Sequence, residues 1–397
     1  MEHHLESLNA AFRVGGEAAA NSIAAFASNP NKSEDLRVEA ITQLSLWAQP
    51  PRRDRVLGIF RPIQQRPSIH AVQSLLPRLR SLFRDKERIA IATCAAVKAL
   101  AAKEGAAELT PLANDEKAAA KIRVAALETL SSLSPSDFTS TLTAALSSQS
   151  TSVRTAAAGI LAQRDPSAAS RQLIGAWSNS DGQRKRSIAD TLASVSSPDA
   201  DKFIASLVDQ LRSEPREAWL EILEAAARQG SLSKAALARH ESALPKDNPL
   251  AKFLPVQFGG DRANGERLFK EHAVAACMRC HRVGGNGGDA GPALDGFART
   301  HDRNYVLESI VNVNARIAPG FQMIALTLKD GSLKAGLVRA ENKETVTLQI
   351  PGGPTEVVPV GNITKRENAP SGMLPNLGDL LSRRDLRDIV EYVSSLK

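Results

Sequence analysis

From Ser33 to about Gln229, apolar residues return every three or four positions, the period of an amphipathic helix, and loop signals such as Ser-Pro-Ser and Asp-Pro-Ser separate the helical stretches. The stretches also resemble one another in detail. LRVEAITQL from Leu36, IRVAALETL from Ile122, VRTAAAGIL from Val153, KRSIADTLA from Lys185 and PREAWLEIL from Pro215 each carry an arginine near the start. Arg123, Arg154, Arg186 and Arg216 fall at intervals of 31, 32 and 30 residues. A small residue follows three places later in most units (Ala40, Ala126, Ala157, Ala189), and an apolar one seven places later (Leu44, Leu130, Leu161, Leu223). No single unit of this size can bury its apolar stripe alone, so the pattern predicts helix pairs stacked as an α-solenoid over residues 1–242. The gap between Arg37 and Arg88 holds Pro50-Pro51-Arg52-Arg53-Asp54-Arg55, an interruption of the repeat.

The pattern changes at 243–260, where Pro245, Pro249, Pro255 and Gly259-Gly260 read as a linker. Over 261–397 three helices are expected. The first, Asp261 to Ala276, has Gly265, Leu268 and Phe269 on one side. The second spans Asp302 to Ala315, and the last, Arg383 to Leu396, places Leu386, Ile389, Val390 and Val393 at helical spacing beside Tyr392. Between them Met323–Leu328 is β-rich and Thr345–Ile350 alternates polar and apolar, with turns at Lys329-Asp330-Gly331-Ser332 and Pro351-Gly352-Gly353. Three to five short strands are predicted within an insertion at about 321–365, covering one side of the second domain. The fold class is mainly α.

The first expected helix of this domain delivers Cys277-Met278-Arg279-Cys280-His281. A C-x-x-C-H run is the attachment site of a c-type haem. Two thiols three positions apart can each form a thioether to one vinyl group, and the adjacent histidine then lies under the iron. His281 is the expected proximal ligand through Nε2, with Nδ1–H held by a backbone carbonyl from Gly291-Pro292-Ala293-Leu294. The spacing leaves other chemistries open: a zinc site completed by His272 and His301, a thioredoxin-like redox pair, or a plain disulfide. For a sixth iron ligand, Met373 in the turn-rich loop Ser371-Gly372-Met373-Leu374-Pro375 is the leading candidate and His301 the next. Met1 is terminal, Met278 lies beside the attachment site and Met323 falls in a predicted strand.

Composition adds less. Aromatics are 4% of the chain, which favours closely packed helices. No stretch approaches eighteen apolar residues, so no transmembrane helix is predicted. The opening Met1-Glu2-His3-His4-Leu5-Glu6 lacks the basic and apolar regions of a secretory leader, whereas covalent haem implies a periplasmic or otherwise exported protein. The expectation is that the chain is part of something longer. Between Arg52 and Arg88 nine arginines and Lys86 stand against Asp54, Asp85 and Glu87, so this stretch alone accounts for the net charge of +7. That weakens a general nucleic-acid reading and offers either a solvated face or a docking face. Cys94, among alanines, and Trp47, Trp177 and Trp219, among apolar helical neighbours, read as core. The repeats hold no nucleophile–base arrangement, phosphate loop or metal-ligand cluster.

CMRCH, GPALDGF, LESIVNVNARIAPGFQ, the Lys329-Asp330-Gly331 turn and the methionine loop together make residues from about Gly260 to Lys397 resemble the haem-binding C-x-x-C-H domain at the C-terminus of large exported proteins of planctomycete and verrucomicrobial type. Many members have Met directly before Pro, whereas Leu374 intervenes here. The helical units resemble short HEAT repeats, and PPRRDRVLGIFRP is similar to the family's sequence as well. The resemblance implies a class I cytochrome c-like helical domain carrying one covalent haem c, preceded by HEAT-like repeats and often by a propeller resembling a sugar dehydrogenase. It also implies electron transfer from a dehydrogenase or another redox protein, with docking on the repeats or on the Arg52–Arg88 patch. The rival expectations are a fragment of a sugar or alcohol dehydrogenase lacking its propeller, and a haem-based sensor or scaffold.

Overall fold

The computed structural model describes residues 2–350 and 353–397. The chain is mainly helical, with one five-stranded sheet and one two-stranded ribbon among the described residues. It divides into two compact units, residues 1–178 with 194–200, and residues 179–193 with 201–397. No helix among the described residues is long and apolar enough to cross a membrane.

In the first unit the helices form two rows. Glu34–Ser45, Glu87–Ala99, Ala120–Leu133 and Thr151–Arg164 pack in succession, and Gly16–Ser28, Ala106–Asn114, Phe138–Leu146 and Pro166–Trp177 lie against them. Alanine permits this close layering. Ala40, Ala90, Ala126 and Ala157 are fully buried in the first row. Of the recurring arginines, Arg37, Arg123 and Arg154 serve as helix caps, whereas Arg186 binds Glu221 and Arg216 lies over Trp219 and Phe258. Arg37 Nε donates to the Ala27 carbonyl at 2.7 Å, Arg123 Nε to Ala113 at 3.0 Å, and Arg154 Nη1 to Ser148 and Gln149 at 2.7 and 2.8 Å. Each therefore satisfies carbonyls at or just beyond the end of the preceding helix, where the intrahelical bonds run out. Asp85 and Glu116 neutralise Arg37 and Arg123. Cys94 is 1% exposed, and burial pushes its thiol up to about 12, as suits an inert core residue. Trp47 and Trp177 are buried, while Trp219, in the second unit, is only half-buried and donates through Nε1 to the Glu214 carbonyl at 2.9 Å.

The second unit is organised by a crossing of Arg262–Glu271 with the last helix, Arg383–Val393. Its closest point is Gly265, where an added Cβ would collide with the Asp388 carbonyl oxygen. Phe269 and Tyr392 meet beside it with ring centroids 5.4 Å apart. Both helices have side-chain N-caps, Asp261 accepting from Ala263 and Asn264 N–H, and Ser382 from Asp385 N–H. The first helix ends at Glu271, earlier than its sequence pattern suggests. The His272 ring accepts from the Val274 and Ala275 N–H groups at 3.2 and 3.1 Å, which turns the chain out of the helix. Likewise the middle helix closes at Val311 rather than at Ala315.

Leu386, Ile389, Val390 and Val393 face a core shared with Leu307 and Ile310 of the middle helix, with Phe253 and Val256 of the 3₁₀ segment Ala251–Val256, and with Leu220 of Trp219–Arg228. Ion pairs reinforce the last of these contacts. Arg387 Nη1 donates to Glu221 at 2.6 Å with both side chains buried, and Arg384 Nη2 reaches Asp190 at 2.5 Å and Glu224 at 2.6 Å. Helices 182–192, 219–228 and 231–242 therefore belong to the same compact unit as the last helix.

The sheet is antiparallel, in the spatial order Thr355–Pro359, Thr345–Gln349, Leu333–Glu341, Met323–Leu328, Ile363–Asn368: the first four strands along the chain form a meander, and Ile363–Asn368 crosses back to pair with Met323–Leu328. Its alternating residues Ile324, Leu326, Val346, Leu348 and Val358 form a small core of their own. Five strands occupy residues 323–368, within the number expected and extending slightly further along the chain.

Candidate haem site

Cys277, Met278 and Arg279 form a single 3₁₀ turn, entered through Ala276 in the left-handed region at φ 44°. His281 N–H closes the turn on the Cys277 carbonyl at 2.9 Å. The segment beyond folds back tightly. Gly288 N–H donates to Met278 O at 2.9 Å and Gly291 N–H to Cys280 O at 2.8 Å. Gly287 and Gly288 run so close to this turn that a Cβ on either would strike the carbonyl of His281 or Arg279. These glycines explain the Gly-rich sequence after the motif: they let the backbone clamp the turn.

His281 Nδ1 lies 3.0 Å from the Pro292 carbonyl oxygen. A carbonyl only accepts, so Nδ1 carries the proton and Nε2 keeps its lone pair, the tautomer that a metal-ligating imidazole needs. Burial holds the ring's pKa below its usual value, against the opposing pull of Pro292, so the imidazole is neutral near pH 7. Gly291 makes room for this ring, since a Cβ there would sit 2.7 Å from His281 Cε1. Burial also raises both thiols, Cys277 to about 11, and all three cysteines are free of disulfides.

These groups open on a cleft of about 1140 Å³, its mouth included. Cys277, Cys280, His281 and Pro292 line it from the motif region, and Leu294, Phe297, Ile310, Ile389 and Val393 add apolar wall. Met373 and Gly372 line it from the loop before the last helix, and Met323 and Leu337 from the sheet. The Met373 loop is positioned by polar contacts, Ser371 N–H donating to Asn314 Oδ1 at 2.8 Å and Met373 N–H to Ser371 Oγ at 3.2 Å. The five residues marked out in the sequence, Cys277, Cys280, His281, Pro292 and Met373, thus share one cleft. Sequence reasoning did not single out Leu337, Tyr305 or Arg316, which also line it. Gly291, which also lines it, belongs to the segment expected to hold the His281 ring.

His301 does not line this cleft. Its ring stacks on Phe297 with centroids 4.2 Å apart, and its Nδ1 lies 2.9 Å from Thr300 Oγ1 and 3.2 Å from Phe297 O. His272 spends its Nδ1 on the helix end. Among the described residues no group of three or more His, Cys, Asp or Glu is placed to hold a metal ion, so a zinc site with Cys277 and Cys280 is not assembled.

The residues fit a haem. The cleft is large, predominantly apolar and walled by residues of both terminal helices, with two thiols and one correctly protonated imidazole on the same wall. A family model for cytochrome c matches residues 262–329, from the first helix through the motif and the middle helix to the end of the first long strand. No curated protein matches the chain. The matched segment supports a haem-based electron-transfer module in the C-terminal part of the chain.

Proposed function

We propose that the chain carries one haem c, thioether-linked to Cys277 and Cys280 and ligated by His281 and Met373, and that it passes single electrons between a dehydrogenase and a further redox protein in the periplasm or another exported compartment. The observation that carries the reading is the convergence of both thiols, the Nδ1-protonated His281 and Met373 on one apolar cleft. When bound, haem supplies a one-electron couple. The protein's residues determine how that couple behaves. The Pro292 carbonyl fixes the His281 ring and raises its basicity. Apolar walls limit water at the site, and a methionine sulfur, which favours ferrous iron, raises the potential relative to a second histidine. The helical units, read as HEAT-like repeats, serve as scaffold and docking surface.

Met373→Ala in protein matured by a c-haem attachment system tests the ligand assignment. It should abolish any methionine-to-iron charge-transfer band at the red end of the spectrum, lower the reduction potential and admit carbon monoxide, with helical content and covalent haem kept. Unchanged band, potential and ligand access would remove Met373 from the iron and bring Met323, the other methionine lining the cleft, under test.

A further inference from the structure

In the first unit, the stretch between Pro50 and Pro67 has no helix, and its tip exposes four apolar side chains within five positions. Val56, Leu57, Ile59 and Phe60 are 39, 60, 53 and 66% exposed. Scattered exposed apolar residues are ordinary, but a cluster on one turn marks a binding element or a liability.

The turn is firmly built. Asp54, itself 3% exposed, accepts hydrogen bonds from the Val56 and Leu57 N–H groups at 3.0 Å and from Asn9 Nδ2 at 3.0 and 3.1 Å, with Arg13 Nη1 at 3.4 Å. Asp54 N–H donates to Ile59 O and Gly58 N–H to Asp54 O, both at 2.9 Å, and Arg61 N–H to Arg52 O at 3.0 Å. Gly58 supplies the positive φ of 68° that the reversal requires. A buried carboxylate, Asn9 and Arg13 are thus committed to holding in place a turn that presents apolar side chains to solvent. Exposed Arg52, Arg53 and Arg61 surround it.

We infer that the Val56–Phe60 knuckle is a docking element for a partner protein that presents an apolar recess ringed by carboxylates. The inference is independent of the haem reading. A turn fixed before binding loses little conformational freedom on entering a shaped recess, and the rim arginines add charge complementarity. A lipid surface would reward a broad basic face instead. Four of the neighbouring cations are engaged within the protein: Arg55 is paired with Glu39, Arg88 with Asp35, Arg78 bonds Asn21 and Ser74, and Arg66 lies over Phe12 and Trp47.

The test begins with full-length protein carrying Phe60→p-benzoylphenylalanine, irradiated in cells of its native host. Any protein adduct is identified and produced in pure form. Its affinity is then measured for the wild type, for Ile59→Ser/Phe60→Ser and for Arg52→Glu/Arg61→Glu. Each double variant should weaken binding at least ten-fold, the charge variant should also flatten the salt dependence, and unfolding midpoints should not move. Absence of a protein adduct, adducts to phospholipid together with retention on phosphatidylglycerol vesicles, or a purified partner whose affinity neither variant changes would each overturn the inference.

Discussion

Where helices of the first unit meet, the small residue is alanine and buried arginines close the helix ends; where the terminal helices of the second unit meet, the small residue is glycine and the core wraps a cleft. The difference reflects what each core encloses. Side chains of the first unit pack on one another, and burial there takes even the Cys94 thiol up to about 12. In the second, Gly265 draws two helices together on one side while Cys277, Cys280, His281 and Met373 gather on the other. A scaffold needs only the first arrangement. A redox module needs the second, because a cofactor must be gripped by a core that the protein alone does not fill.

Buried arginine gives the largest way to break this contrast. Arg387 faces Glu221, and both are buried, so Arg387→Leu leaves the carboxylate, among the described residues, with Arg186 at 3.3 Å as its remaining ion pair; the expected cost is about 3–5 kcal/mol. Arg123 faces Glu116, whose side chain is 44% exposed and can turn to water, so Arg123→Leu should cost only about 1–3 kcal/mol, mainly from the orphaned Ala113 carbonyl. Urea unfolding of both variants checks the order, and equal losses would erase the distinction.

Glycine supplies the next test, with opposite signs in the two units. Gly265→Ala forces a methyl against the Asp388 carbonyl and should destabilise by about 1–3 kcal/mol. Gly159, inside helix Thr151–Arg164, has open space around its Cβ position, so Gly159→Ala should stabilise by about 0.5–1 kcal/mol. Thermal midpoints of the two variants moving in the same direction would contradict the account.

A smaller effect is confined to the first unit and to acid. Hydrogen bonds from Leu57 N–H and Asn9, with the nearby charge of Arg13, hold the Asp54 carboxyl at about 2, below its ordinary 3.8. A folded pKa below the unfolded one means that the contribution is present above the ordinary value and is lost as pH falls toward 2. Asp54→Asn should therefore remove part of the acid sensitivity of unfolding between roughly pH 4 and pH 2. Identical acid profiles would show that Asp54 does not anchor the turn.

Much of this was legible in the sequence because its signals are local. The spacing of Cys277, Cys280 and His281, the helical period with its recurrent arginines and the alternation in Thr345–Ile350 each lie within a few residues. What was not legible is non-local. Arg387 and Glu221 are 166 positions apart, and nothing near either announces the pair. Gly265 is recognisable as a helical glycine but not as the point where Asp388 arrives. Nor does the Pro-rich stretch before Gly260 reveal that Phe253 and Val256 are buried in the core of the second unit.

Covalent haem attachment is decided by the mass of the chain produced alongside a c-haem maturation system. One haem is expected per chain, resistant to acid–acetone extraction, located on the peptides bearing Cys277 and Cys280, and absent from Cys277→Ser/Cys280→Ser. An unmodified mass for the wild type, from cells that mature a control c-type cytochrome, would contradict it.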